Sequence, residues 1–235
     1  MKDRPEVTVL FPVFNEEHSI QLTINEFSKE LQKIPFRILV VEDGSTDRTK
    51  EVLQRLKKNI PIDIVFGEVR RGYSAAILEG LKHVSTKYVC IADSDGQYEA
   101  RDFWKLYVLR EKYDIISGWR AERNDSLFRR IMSTTFQWMT RRMFKISVHD
   151  ITSSYRLMRS EVAQNVASDY RYMQESFWTE FTVIALNKGL TMVEVPITHK
   201  KRPIGSTNVY KISKTPAIAY RQFINLIRLY NGFRN

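Results

Sequence analysis

Two carboxylates stand two residues apart, directly after an apolar run, in the segment YVCIADSDGQYEA, residues 88–100. At this spacing Asp93 and Asp95 can project to the same side of an extended chain. Neighbouring carboxylates repel each other unless a cation or a hydrogen-bond network stabilises them. Mg²⁺ and Mn²⁺ are commonly held by one or two carboxylates together with substrate phosphates. The pair is therefore a candidate metal site; alternatively, one aspartate caps a helix and the other belongs to an Asp-Gly turn.

Two further acidic clusters follow predicted strands. Asn15 and Glu16 come after the first apolar run, and Glu42 and Asp43 come after the second. In doubly wound sheets, ligands bind beyond the carboxyl ends of the strands. Three acidic clusters are thus expected at one edge of a protein that is strongly basic overall.

The elements that would position these clusters alternate between strand and helix. We predict strands at 7–13, 36–42, 62–68, 87–92 and 114–119, with helices at about 20–34, 46–58, 74–83 and 101–112, the second of these helices capped by Ser45 or Thr46. In the second half we predict a helix at 127–145, a strand at 152–158, a helix at 174–187, a strand at 190–197 and a C-terminal helix starting near Pro216. Nearly continuous apolar strands separated by helices indicate a parallel sheet covered on both faces. The length of 235 residues fits one α/β domain.

The charge is unevenly distributed. There are 37 Lys and Arg residues against 27 Asp and Glu, a formal net charge of +10. Positive charge is concentrated between Arg120 and Lys145 and again after Glu194, beyond which the sequence has no acidic residue. Such asymmetry indicates an anionic partner: nucleic acid, an anionic membrane, or phosphate groups on substrates. A solvated basic face is the alternative.

Several classes of protein lack support in this sequence. The single cysteine, Cys90, excludes an internal disulfide and favours a reducing compartment. No dinucleotide-binding glycine motif, P-loop, zinc spacing or nucleophile elbow is present. No signal peptide is recognised and no run of about 18 apolar residues occurs, so we expect a soluble or peripheral protein.

Six segments, in order, resemble the successive motifs of family 2 glycosyltransferases with the GT-A fold: FPVFNEE, VVEDGSTDRT, ADSDGQY, SGWRAER, VHDITSSYRLM and EVPITHKKRPIGSTN. Within that family they most resemble the polyprenyl-phosphate glycosyltransferases, of which dolichol-phosphate mannose synthase is the best-known type. The resemblance runs from about residue 7 to 210. It implies a single GT-A (Rossmann-like) α/β domain at 1–210 with a mostly parallel central sheet. A basic, amphipathic helix at 211–235 would follow and associate with a membrane.

The resemblance also implies roles for individual positions. Asp93 matches the acidic residue nearest the nucleotide, Asp95 the principal ligand of Mg²⁺ or Mn²⁺, and Gln97 a glutamine that completes the metal site. The remaining positions that match nucleotide-sugar binding residues are Pro12, Glu16, Asp43, Arg70, Arg156 and Glu180. The positions that match residues grouped around the phosphates are Arg120, Arg129, Ser133 and Arg202.

Two segments depart from the family pattern. In RRGYSAA, Gly72 is kept, but Ser74 stands where the family often has a second glycine. The common Gly-Gly or Gly-Ser before Phe-Arg is replaced by the run from Ser153 to Tyr155.

The function that the resemblance implies is inverting, metal-dependent transfer of a hexose from a nucleotide-diphosphate sugar, of the GDP-mannose or UDP-glucose type, to a polyprenyl phosphate. The expected partners are these two substrates and an anionic membrane surface or membrane-embedded protein on the cytoplasmic face. A lipid phosphate is already anionic and can attack without a general base, whereas a hydroxyl acceptor needs one, for which Glu180 or Asp150 would be the candidates. Transfer to a polysaccharide or protein hydroxyl is the first alternative. A non-catalytic protein that binds nucleic acid or membrane is the second, and the acidic clusters disfavour nucleic acid because they would repel it.

Overall fold

A central sheet organises the chain in the computed structural model. The structure describes residues 4–121, 127–202 and 215–233, with the side chains of 127–131 and 215–217 left out. The strands are β1 Val7–Val13, β2 Phe36–Glu42, β3 Ile62–Phe66, β4 Tyr88–Ile91, β5 Ile115–Arg120, β6 Arg156–Arg159 and β7 Met192–Ile197. The described residues form one seven-stranded sheet in the order β3-β2-β1-β4-β6-β5-β7. Only β6 runs antiparallel to its neighbours in this sheet, which confirms the mostly parallel α/β fold.

Helices cover both faces of the sheet. They are α1 Ile20–Glu30, α2 Thr49–Asn59, α3 Tyr73–Lys82, α4 Phe103–Tyr107, α5 Leu127–Phe144, α6 Ser160–Ser168, α7 Phe177–Asn187 and α8 Thr215–Gly232. Short 3₁₀ turns, Leu31–Lys33 and Ala100–Asp102, follow α1 and precede α4. One apolar core contains buried residues of α1, α2 and α4, and a second contains those of α3, α6 and α7. The sheet separates the two cores because its residues alternate between faces: Val9 and Phe11 belong to the first, Leu10 to the second.

The C-terminal helix packs on the domain. Leu226 and Leu229 of α8 are buried with Val183 of α7, and Phe136 and Met139 of α5 pack against this third cluster. Other large apolar side chains of α5 and α8 remain exposed, namely Met132, Trp138, Tyr220 and Phe223. Among the helices of the described part, none combines the length and apolar character needed to cross a membrane.

Several elements differ from the prediction; helix α4, for example, is shorter than the predicted helix at 101–112. Strand β6 begins only at Arg156, because the residues before it fold around the buried Arg156 guanidinium, which donates to the carbonyl groups of Ile151 and Ser153. No helix is predicted for the segment that forms α6, since neither glycine nor proline separates it from β6. Helix α2 begins at Thr49, whose N–H donates to Asp47 Oδ1 at 3.0 Å, so the prediction that Ser45 or Thr46 caps this helix is wrong.

Candidate active site

The loops after β1 and β2 are joined to each other. The N–H of Asn15 donates to Ser45 Oγ at 3.0 Å, and Asn15 Oδ1 accepts the N–H of Thr46 at 2.8 Å. Asn15 adopts a φ of 55°, a left-handed conformation that asparagine tolerates better than most residues. The N–H of Glu16 donates to Thr49 Oγ1 at 2.8 Å. These bonds bring the first two acidic clusters together at the carboxyl edge of the sheet.

Asp43 is buried and holds the start of α3. Its two carboxylate oxygens accept the N–H groups of Arg71 and Gly72 at 2.8 and 2.7 Å. The segment before α3 passes very close to Gly44. A Cβ on Gly44, whose φ is 70°, would lie 2.4 Å from the carbonyl carbon of Val69. Glycine is therefore required at position 44, and Asp43 determines where helix α3 begins.

Asp93 is hydrogen-bonded at both carboxylate oxygens. Tyr73 Oη donates to Oδ1 at 2.8 Å and Ser154 Oγ donates to Oδ2 at 2.6 Å. Trp178 Nε1 in turn donates to Tyr73 Oη at 2.9 Å. Since Ser154 gives its only hydroxyl hydrogen to Asp93, the 2.8 Å contact between Ser154 and Tyr98 has the Tyr98 hydroxyl as donor. Two relays of donors therefore converge on one carboxylate.

Asp95 lies beside Asp93 and its charge is disfavoured. Burial, together with the neighbouring carboxylates of Asp93 and Glu16, raises the pKa of Asp95 to about 7, although a hydrogen bond from the Gln97 N–H and the charge of Arg202 oppose the rise. We call Glu16, Asp93 and Asp95 the acidic centre. Carboxylates that repel one another in this way favour a cation between them.

Gln97 shares a side of the chain with the two aspartates. Asp93, Asp95 and Gln97 are each partly exposed, whereas Ser94 and Tyr98 between and after them are buried. Gln97 Nε2 donates to the carbonyl of Lys200 at 3.1 Å, which fixes the side-chain amide.

The donor set at these positions suits a hard cation. Two carboxylates and one amide oxygen are ligands that Mg²⁺ or Mn²⁺ accepts, and both ions commonly keep other positions for water and substrate phosphates. Within the described ranges, no three or more His, Cys, Asp or Glu side chains form a group that could hold a metal. The residues therefore fit an ion that arrives with phosphate ligands rather than one enclosed by protein carboxylates.

Arg202 places a positive charge at the acidic centre. One of its terminal nitrogens lies 2.6 Å from each carboxylate oxygen of Glu16, and both side chains are largely buried. Burial raises the pKa of Glu16, while hydrogen bonds from Ser19 and the charge of Arg202 oppose this rise.

Arg120 places a second positive charge within electrostatic reach of Tyr98 and Asp93. Its Nε and one terminal nitrogen donate to the two oxygens of Asp150 at 2.7 and 3.0 Å, and it also donates to Thr152 Oγ1 at 2.9 Å. Burial alone would lower the pKa of Arg120, but the phenol of Tyr98 and the carboxylate of Asp150 outweigh it, so the pKa is raised. Arg120 is therefore a permanent cation, and Asp150 is its buried partner.

Two of the predicted ligand positions face the protein interior. Arg156 is fully buried, donates to Ser153 O, Ile151 O and Thr182 Oγ1, and packs over Trp178, while burial lowers its pKa to about 10. Glu180 is also fully buried, and its oxygens accept the N–H groups of three successive residues, Arg171, Tyr172 and Met173. Both side chains fix loops in this structure, and neither presents a group to a ligand.

The other predicted residues lie within strand β1, at an exposed position or within helix α5. Pro12 is buried in β1, and its carbonyl accepts the Ser94 hydroxyl at 3.0 Å, so it supports the loop that carries the aspartates. Arg70 is exposed, with its guanidinium 4.0 Å from the ring centroid of Phe14. Ser133 accepts a hydrogen bond from Gln137 within α5. The side chain of Arg129 lies outside the described residues.

Three residues of the site were not among those predicted. Tyr73 and Ser154 both donate to Asp93, and each stands in a segment that departs from the family pattern. Ser74, the residue at the second glycine position, donates to Gln174 O at 2.8 Å and accepts from Tyr170 Oη at 3.0 Å. Of the three, Ser74 carried the available signal, because it stands where the family often has glycine and its hydroxyl makes contacts that glycine cannot make; the sequence does not distinguish Tyr73 or Ser154.

Known proteins resemble this chain in sequence. The sequence profile of glycosyl transferase family 2 matches residues 8–167. An undecaprenyl-phosphate 4-deoxy-4-formamido-L-arabinose transferase of Pectobacterium atrosepticum is 29% identical over 93% of this chain, and the chain spans 66% of that relative's length. An uncharacterized protein of Methanocaldococcus jannaschii is 31% identical, with 83% of this chain and 82% of that protein covered.

Solved structures share the fold at low sequence identity. Glucosyl-3-phosphoglycerate synthase of Mycobacterium tuberculosis, in complex with Mn²⁺, uridine diphosphate and glucosyl-3-phosphoglycerate, superposes with a TM-score of 0.70 at 17% identity over 97% of this chain and 81% of that one. A mannosyltransferase of Pyrobaculum calidifontis, in complex with GDP-mannose and Mn²⁺, gives 0.67 at 19% identity over 99% and 65% of the two chains. These likenesses establish the GT-A fold. Because the family profile covers more than half of the chain, the protein belongs to glycosyl transferase family 2.

Proposed function

We propose that this enzyme transfers a sugar from a nucleoside-diphosphate sugar to a polyprenyl phosphate, with Mg²⁺ or Mn²⁺ at the acidic centre. The observation that carries the proposal is the adjacency of Asp93 and Asp95 beyond β4, with Arg202 paired to Glu16 beside them. This arrangement offers carboxylates to a cation and a guanidinium to phosphate groups at one place. Both are needed where a diphosphate must be bound and then released.

The donor is assigned to the side of the acidic centre near β1 and β2. A divalent ion held by Asp95 and Gln97 would stabilise the charge that develops on the nucleoside diphosphate as it leaves. The chain's own residues bind and orient: Asp93 is fixed by its two hydroxyl donors, and Arg202 can exchange one carboxylate for phosphate oxygens.

The acceptor is inferred from the chemistry that the structure supports. A hydroxyl acceptor needs a general base. Glu180 accepts three backbone N–H groups, and Asp150 accepts two donors from Arg120 and one from Thr152, so both candidate bases are already engaged and buried. A phosphate acceptor is deprotonated at neutral pH and needs cations instead, of which Arg120 and Arg202 are the described examples. This favours a lipid phosphate over a sugar or protein hydroxyl.

The relatives support the acceptor and broaden the choice of donor. Several are named as undecaprenyl-phosphate 4-deoxy-4-formamido-L-arabinose transferases, and this name specifies a modified pentose rather than a hexose. We therefore propose GDP-mannose and UDP-glucose as hexose donors to test first, with a formamido-pentose donor as the third. Inversion at the anomeric carbon, by direct attack of the lipid phosphate, completes the proposal.

A peripheral position on the cytoplasmic face of a membrane follows from a lipid acceptor and a nucleotide donor. Trp138 on α5 and Tyr220 and Phe223 on α8 are exposed aromatic side chains on helices that also carry arginines. Aromatic and basic residues together are typical of surfaces that lie in the headgroup region of an anionic bilayer. We assign α5 and α8 as the membrane-facing pair.

The test is transfer itself. The purified protein is incubated with Mn²⁺, an undecaprenyl or dolichyl phosphate in detergent, and each radiolabelled donor in turn. Label is expected in the organic phase with one donor, and a label that survives mild base but not mild acid would indicate a sugar phosphodiester. Absence of extractable label with all three donors, from a folded protein, would overturn the proposal.

A further inference from the structure

The hydroxyl groups of Tyr73 and Ser154 both contact Asp93, although neither residue is among the predicted site residues. They approach opposite oxygens of Asp93 from different parts of the chain: Tyr73 is the first residue of α3, and Ser154 lies in the turn before β6. A carboxylate that accepts one hydrogen bond at each oxygen loses its freedom to rotate about the bond that carries it. The geometry therefore restricts Asp93 to a single orientation.

Each of these donors is itself held by a second group. Trp178 Nε1 donates to Tyr73 Oη, so the Tyr73 hydrogen is directed to the carboxylate. Tyr98, which is buried, donates to Ser154 Oγ, so the Ser154 hydrogen is likewise directed. In both relays the acceptor capacity of the hydroxyl is used by the protein, and its donor capacity is used by Asp93.

The relay through Tyr73 also connects two acidic positions. Asp43 accepts the N–H groups of Arg71 and Gly72, the two residues that precede Tyr73. The position of the Tyr73 ring is thus determined by Asp43 at one end and by Asp93 at the other. Tyr73 as a whole is partly exposed, with 38% of its surface accessible.

We propose that Tyr73 and Ser154 are positioning residues. Their hydrogen bonds hold the carboxylate of Asp93 in one orientation at the acidic centre. With both its oxygens engaged by hydroxyl groups, Asp93 is unsuited to chelate a cation through both oxygens, and Asp95 and Gln97 remain for that role. The expected effect on binding of a divalent cation and a nucleotide rests on the proposed function, whereas the restricted orientation of Asp93 does not.

The binding test uses variants that remove one hydroxyl each, Tyr73→Phe and Ser154→Ala. The matched control is Tyr107→Phe, because Tyr107 Oη also donates to a carboxylate, Glu6 Oε2 at 2.7 Å, far from the acidic centre. Binding of UDP and of GDP, each with Mn²⁺ and without acceptor, is measured by titration calorimetry. Loss of a hydrogen bond to a charged group corresponds to roughly tenfold in affinity.

We expect Tyr73→Phe and Ser154→Ala each to weaken Mn²⁺–nucleotide binding about tenfold, and Tyr107→Phe to leave it unchanged. Equal effects of all three variants, or no effect of the first two, would overturn the inference.

A second measurement separates this inference from the proposed function. Thermal unfolding of the metal-free protein is compared for Tyr73→Phe in the wild-type and in the Asp93→Ala background. If the hydroxyl acts through Asp93, the shift in Tm is large in the first background and nearly absent in the second. Equal shifts in both would refute the positioning role even if the enzyme binds nucleotides. Conversely, coupled shifts in a protein that binds neither UDP nor GDP would refute the proposed function and leave the positioning role supported.

Discussion

Arg202 places a single guanidinium nitrogen 2.6 Å from both carboxylate oxygens of Glu16, which joins the segment after β7 to the loop after β1. The pair is largely shielded from water, so each charge compensates part of the cost of burying the other. It also lies close enough to Asp95 for both charges to affect the pKa of that residue.

Removing Arg202 should therefore reduce both stability and catalysis, for different reasons. We expect Arg202→Ala to lower the free energy of unfolding by about 1–3 kcal/mol, because Glu16 is left without its partner. Adding Glu16→Gln should recover part of that stability without restoring transfer. Urea unfolding and the transfer assay on the same preparations measure the two effects. Wild-type transfer by Arg202→Ala would exclude a role for this arginine at the phosphates.

Asp95→Asn should lower transfer without lowering the stability of the metal-free protein. The substitution removes a carboxylate whose charge is disfavoured by burial and by Asp93, so the metal-free protein should have a Tm equal to or higher than that of the wild type. Transfer should fall by roughly a hundredfold or more, because the proposed metal ligand is lost. Glu99→Gln is the matched control, since Glu99 is a neighbouring carboxylate that pairs with Arg101 and Lys200. A lower Tm together with retained transfer would contradict the assignment.

Glu180→Gln tests whether a buried carboxylate is structural or a general base. The amide cannot accept from all three N–H groups that Glu180 holds, and we expect a cost of about 2–4 kcal/mol in the free energy of unfolding. The kcat of the folded fraction should stay within a few-fold of wild type. If kcat falls roughly a thousandfold while the fold persists, Glu180 acts as a base and a hydroxyl acceptor becomes the better proposal.

The double variant Trp138→Ala with Phe223→Ala tests the membrane-facing pair. Each exposed aromatic ring that inserts contributes on the order of 1–2 kcal/mol, so binding to vesicles that contain anionic lipid should weaken at least about tenfold. Phe66→Ala is the control, because Phe66 is a similarly exposed aromatic residue at the sheet edge. Flotation at low and high salt measures the difference. Equal binding of wild type, double variant and control would refute the assignment of α5 and α8.

The sequence predicted the fold well because the parallel strands carry near-continuous apolar runs. Strand β1, for example, is buried along its whole length, with the charged Glu6 before it and the polar pair Asn15 and Glu16 one residue beyond it. Strand β6 could not be delimited in the same way, since its first residue, Arg156, is charged but fully buried and organises the turn before it. Its burial depends on Thr182 and Trp178, which are distant in sequence.

Part of the candidate site was predictable from sequence motifs. Asp95 and Arg202 lie in motifs whose order and spacing identify the family, and the structure brings both to one place. Glu180 and Arg156 stand in family motifs too, but hydrogen bonds with loop backbone and buried neighbours engage them, and sequence does not reveal such partners. Tyr73 and Ser154 were missed because a hydroxyl is common in loops, and only their convergence on Asp93 distinguishes them.

The most direct measurement compares two lipid acceptors that differ only in the phosphate: undecaprenyl phosphate and undecaprenol, each with Mn²⁺ and the donor that the enzyme accepts. We expect label on undecaprenyl phosphate alone, dependent on the divalent cation and lost in Asp95→Ala. Transfer to undecaprenol at a comparable rate, or transfer to undecaprenyl phosphate that Asp95→Ala retains, would contradict this expectation.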